Sequence, residues 1–179
     1  MASHGPYDSA YMPEVNVPGG GPGTSAEMSE YLRRTAMASL DRDFFMDEIK
    51  RRFPDEPILV VRYGDHQPDF AADMIDPNLD ERGIWERLAS YDPRYYTTYY
   101  AIDVVNFKPM DMSSALDTLE GPYLPLVIQE AAGLPLDPSF VEQKKILSRC
   151  AGLFYACKAG AEARRFTRLL IDAGLINGL

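Results

Sequence analysis

Histidine is almost missing from this chain: His4 and His66 are the only two in 179 residues. Chemistry that needs an imidazole therefore has two places to occur. Cysteine is equally scarce. Cys150 and Cys157 lie in a stretch that reads as helix, where their spacing separates them by roughly 10.5 Å along the axis. That is too far for a disulfide, and no His or further Cys stands nearby to complete a metal site. The sequence thus predicts two ordinary thiols. No apolar run approaches the ~20 residues needed to span a bilayer, and the start lacks the basic-then-apolar pattern of an export signal. Read literally, the chain has no membrane span and stays in the cytoplasm. Basic residues are outnumbered 18 to 27, a formal charge of −9. That balance argues against a nucleic-acid backbone or an anionic membrane surface as main partner, because both reward clustered Lys and Arg. There is no internal repeat.

What is present is an alternation of helical and extended patterns. Residues 1–25 are rich in Gly, Pro and Ser and read as loop. Thr24-Ser25-Ala26-Glu27 has the form of a capping box. A helix is expected from there to about Arg52, with Tyr31, Leu32, Ala36, Leu40, Phe44, Phe45 and Ile49 on its apolar face. Pro54 and Pro57 close it. Ile58–Tyr63 is short, β-branched and nearly continuous in apolar character, which suits a central strand of a parallel sheet covered on both faces. Helix followed by such a strand is the alternation of an α/β fold. Asp69 to Arg94 is polar, with Trp85 and Leu88 as isolated anchors and one short helix expected around Gly83–Ser90. A second strand is expected over Thr97–Val105. Beyond it the pattern is helical. One helix covers about Ser113–Ala132, broken or kinked by Pro122 and Pro125. Another runs from Pro138, a good first-turn residue, to about Tyr155. The last runs from about Ala161 to Ala173 and ends on Gly174. The chain reads as one domain: loop over 1–25, an α/β part over 26–110, and a helical part over 111–179.

The chemistry-bearing run is Tyr63-Gly64-Asp65-His66-Gln67-Pro68, directly after the apolar strand. In open α/β sheets, ligands bind outside the carboxyl ends of strands. Gly64 permits a sharp turn and a close approach. Asp65 offers a hard oxygen and His66 a borderline nitrogen, a pair that suits Mn²⁺, Zn²⁺ or a similar divalent ion. The plainer reading is a polar loop in which Asp65 caps a turn and His66 faces solvent. For Ser3-His4-Gly5-Pro6-Tyr7 the plainer reading is a terminal tail.

Taken together, His4-Gly5-Pro6-Tyr7 and Gly64-Asp65-His66-Gln67-Pro68 resemble the alkaline phosphatase superfamily. The resemblance is to its sulfatase-like branch, which includes lipoteichoic acid synthase-type phosphotransferases. The helix between the motifs with Tyr31-Leu32-Arg33-Arg34, the strand running into Val105-Asn106-Phe107, and the segments Ala131–Leu136 and Leu169–Leu175 extend it over the whole chain. The resemblance implies a three-layer sandwich with a short, mostly parallel sheet and a helical C-terminal region. It implies a divalent metal (Mn, Mg, Zn or Ca) held by Asp65 and His66. His4 would contact the phosphate or sulfate of an ester substrate. The Asp-His pair tips the ester toward phosphate. In that branch the nucleophile and an acidic metal ligand precede the His-Gly-Pro motif by a long stretch. Thr24 and Ser25 read as helix caps, and Cys150 and Cys157 lack the Cys-x-Pro-x-Arg pattern of formylglycine formation. The chain is therefore expected to be the C-terminal portion of such a hydrolase or phosphotransferase. It would be inactive alone, with the other half encoded upstream or separately. The resembling enzymes commonly sit at the cell envelope. A non-catalytic metal- or anion-binding module and a structural helical protein stand as alternatives.

Overall fold

A computed structural model describes residues 5–114 and 118–177. The expected helix α1 forms over Ala26–Arg52. Its cap lies one residue later than the capping box suggested: the Ser25 hydroxyl accepts from the Met28 N–H at 3.1 Å. Strand β1 is Ile58–Tyr63. The polar stretch that follows folds into three short helices, α2 (Ala71–Ile75), α3 (Glu81–Ala89) and α4 (Pro93–Tyr96). Strand β2 is Tyr100–Val105. A single 3₁₀ turn over Gly121–Tyr123 leads into α5 (Leu124–Ala132), and α6 covers Pro138–Cys150. A second short turn over Cys157–Gly160 leads into α7, Ala161–Asp172.

The fold is mixed α/β, but the sheet corrects the expectation of a mostly parallel one. Among the described residues it is a two-stranded antiparallel ribbon, and the three-layer sandwich is not formed. Every residue of β1 up to Arg62 is only partly covered. The continuous apolar run thus lies in a ribbon screened incompletely on both faces rather than in a doubly covered sheet. Two further helices differ from expectation. The Ser113–Ala132 pattern is regular only from Gly121 on: of the break or kink expected at Pro122 and Pro125, a break is what forms, because both prolines fit first-turn positions and start a helix there. Residues 115–117 lie outside the described set. The helix begun at Pro138 stops at Cys150 rather than near Tyr155, where Ala151 and Gly152 turn left-handed at φ 48° and 84°.

That early stop overturns the reading of the cysteines. Helix geometry holds only as far as Cys150. The chain then doubles back and brings Cys157 to a Cα–Cα distance of 5.7 Å, and the two form a disulfide.

The chain divides into two compact units, and the division runs through both strands. The second unit takes Pro57–Val60 and the chain from Ile102 on. Its core gathers Tyr123, Leu126 and Ile146, all fully buried, with Cys150, Phe154, Cys157, Ala163 and Phe166. Phe154 is the hinge of this cluster, meeting the rings of Tyr123 and Phe166 edge-on at 5.5 and 5.8 Å.

The first unit takes the chain up to Glu56 and again Val61–Ala101. Here α1 departs from expectation. Leu40, Phe44 and Phe45 are exposed, while Glu30, Arg34, Met37 and Met46 are buried. Glu30 and Arg34 belong to a charged clasp. Glu30 accepts from Arg33 Nε at 2.9 Å, from Arg34 Nε at 2.7 Å and from the Tyr11 N–H at 2.8 Å. Arg34 donates to the Ser9 carbonyl at 3.0 Å and lies over the rings of Tyr7 and Tyr11. Arg33 holds the carbonyls of Tyr11, Met12 and Val15. The segment following His4 has no helix or strand, yet it is pinned to α1.

Both units rest on a depressed carboxylate. Arg33 and then Arg34 hold Glu30 at about 2, well below 4.5. In the second unit Lys158 and then Arg149 do the same to Glu162, also to about 2. A carboxylate whose folded pKa is lowered stabilises fully above its unfolded pKa, and that contribution is lost as pH falls toward the folded value. Stability should therefore decline between pH 4.5 and about 2. Glu162→Gln should flatten that decline in a circular-dichroism acid titration; an unchanged slope would refute the coupling.

Candidate functional site

The Gly64–Pro68 run leaves β1 as expected, and its backbone is fixed from both sides. The Gly64 N–H donates to the Tyr99 carbonyl at 2.9 Å. A Cβ on Gly64 would come within 2.2 Å of Thr98 Oγ1, so a side chain here would force the Thr98 hydroxyl to turn away. Three residues on, Gln67 Nε2 donates to the carbonyls of Arg94 and Thr97 at 2.9 and 2.6 Å. Arg94 is itself held by Asp76 and Asp92, each at 2.8 Å. The loop between Gly64 and Gln67 is thus clamped at its base, with Asp65 and His66 at its tip.

Both tip side chains are exposed, at 74% and 60%. Asp65 Oδ1 accepts the His66 backbone N–H at 3.0 Å, a contact between adjacent residues. The imidazole is also oriented. His66 Nδ1 lies 2.8 Å from the Gln67 carbonyl, which can only accept, so Nδ1 carries the hydrogen. That leaves Nε2 facing Asp65 Oδ2 at 3.7 Å. The Gln67 carbonyl and then the Asp65 charge raise the His66 pKa.

This donor set fits a divalent cation in kind. Metal-binding histidines usually fix one ring nitrogen on a carbonyl or carboxylate and offer the other. Here the offered nitrogen stands beside a carboxylate oxygen. It does not fit in number: among the described residues no group of three or more His, Cys, Asp or Glu could hold a metal. Asp65 and His66 amount to two ligands.

His4 lies outside the described residues. The rest of its motif does not, and its tyrosine packs just beyond the Gly64–Pro68 run. The Tyr7 ring meets Phe70 edge-on at 5.7 Å and Tyr31 at 5.6 Å, and Tyr31 meets Phe70 at 5.5 Å. Three aromatic rings from the N-terminal segment, α1 and the loop after Pro68 close on one another. Burial, then Tyr31, raises the Tyr7 pKa; Asp69 and Asp65 raise it further and Arg34 opposes them. Tyr7, Gln67 and Phe70 thus carry the geometry, although the sequence motifs leave them without a role. Tyr7 and Gln67 stand inside the quoted motifs, which was a signal. Phe70 stands outside both motifs and gave none.

Comparison with known proteins returns no match: no family model, no curated protein and no solved structure is similar to this chain.

Proposed function

We propose that Asp65 and His66 are two ligands of a divalent-metal site for phosphate- or sulfate-ester chemistry, with the His4–Tyr7 segment on its substrate side. The observation that carries this reading is the contact of Tyr7, in the first motif, with Phe70, two residues past the end of the second. The oriented imidazole beside a carboxylate supports the metal part. A bound cation would act there as a Lewis acid on the ester oxygens. Asp65 and His66 would hold it, Gln67 would keep their loop in register, and Arg34 would keep the Tyr7 segment against α1. A catalytic metal ordinarily takes about three protein ligands, so this reading calls for another segment to supply a further ligand and the nucleophile. The antiparallel ribbon gives no support to the alkaline-phosphatase sheet. The reading rests on the two motifs and on the oriented Asp65–His66 pair.

Calorimetric titration with MnCl₂ tests it. Wild type should bind weakly, and Asp65→Ala and His66→Ala should each lower the affinity by roughly tenfold or more. Phenyl phosphate should increase the heat in wild type only. Equal heats in wild type and both variants would end the proposal.

A further inference from the structure

We propose that oxidation of Cys150 and Cys157 by a thiol–disulfide oxidant is a maturation step of this chain, and that the second unit depends on it. The bond joins two points of the chain that local geometry would keep apart. Between and beside the cysteines, Ala151, Lys158 and Ala159 all adopt left-handed backbone at φ 48°, 49° and 53°. None is glycine, so each is disfavoured where it stands. Three such residues close together need a surrounding structure that over-determines them.

That structure converges on the same neck. Glu120 accepts from the backbone N–H groups of Phe154 and Tyr155 inside the loop. Tyr123 Oη donates to the Leu153 carbonyl at 2.9 Å. Glu162 accepts from Arg149 at 3.1 Å and Lys158 at 2.8 Å, the immediate neighbours of the two cysteines. The sulfurs belong to residues only 7% and 8% exposed, within the core cluster. A bond so placed resists reductant once the unit has folded, and must form while the segment is still open. Cys150 and Cys157 each give up a proton and together two electrons. The oxidant's disulfide receives them and leaves as two thiols. Such chemistry belongs to an oxidising compartment rather than a glutathione-reduced one, which departs from the literal cytoplasmic expectation.

The full chain, produced under oxidising and under reducing conditions, gives the test. Maleimide labelling after denaturation should find no thiol in the first preparation and two in the second. Closing a loop of seven residues' separation should favour folding by roughly fifty-fold. The oxidised chain should exceed the reduced chain by that factor in urea unfolding, and the Cys150→Ser/Cys157→Ser variant should match the reduced chain. Dithiothreitol should open the bond quickly in urea and slowly without it. Two free thiols in the oxidised preparation, or equal stability of oxidised and reduced chains, would overturn the proposal.

Discussion

Gly152→Ala should destabilise the second unit by about 3 kcal/mol or more, far beyond a usual glycine-to-alanine change. Two effects add. At φ +84° an alanine pays the left-handed penalty, about 1–2 kcal/mol. Its Cβ would also fall 2.3 Å from the Thr118 carbonyl oxygen and 3.4 Å from Leu119 Cα. Those neighbours are backbone and cannot swing aside as a side chain would. The Glu120 N–H donates to the Gly152 carbonyl at 2.9 Å, so pushing the two segments apart also breaks that bond. Gly174→Ala is the matched control. It has φ +69° with nothing within 4 Å of the added methyl, so it should cost only the conformational part, about 1–2 kcal/mol. Urea unfolding of both variants separates the contributions. Equal losses at the two positions would show that the close approach at Gly152 carries no energy.

The same loop shows where sequence reading stops. Elements set by local pattern were legible: α1 from its capping box and closing prolines, β1 from its β-branched run, α6 from Pro138, α7 from the Gly174 that follows it. What failed depended on contacts distant in sequence. The apolar character of Ile58–Val61 fits either strand orientation, so it could not choose antiparallel pairing with β2. The expected apolar face of α1 is exposed at Leu40, Phe44 and Phe45, while Glu30 and Arg34 are buried because they bind the segment over Ser9–Tyr11, an arrangement that helical periodicity does not encode. The cysteine spacing misled because it assumed α-helical rise through Ala151, a non-glycine residue in the left-handed region. At the candidate site, Asp65 and His66 were legible as a strand-end pair. Their clamp was not, since Gln67 reaches across to Arg94 and Thr97. Neither was the closure of Tyr7 on Phe70.

Tyr123→Ala should cost about 3–5 kcal/mol, the range for removing a buried aromatic ring, and Tyr123→Phe should divide that loss into its parts. The side chain is fully buried, with its ring edge-on to Phe154 at 5.5 Å. Its hydroxyl donates to the Leu153 carbonyl at 2.9 Å. Phenylalanine keeps the ring and its packing but leaves that carbonyl without this donor, about 1–3 kcal/mol. The remainder up to the alanine value belongs to the cavity. Burial, with Glu120 and Glu162 nearby, pushes the Tyr123 phenol up to about 12 from 10.0. A phenol whose folded pKa is raised stabilises fully below its unfolded pKa, and that contribution fades as pH climbs toward the folded value. Wild type should therefore lose stability between pH 10 and about 12, while Tyr123→Phe, which has nothing to ionise there, should lose less over the same window. Urea midpoints across that alkaline range decide it. If Tyr123→Phe follows wild type through the whole window, ionisation of the buried hydroxyl is not what weakens the second unit there.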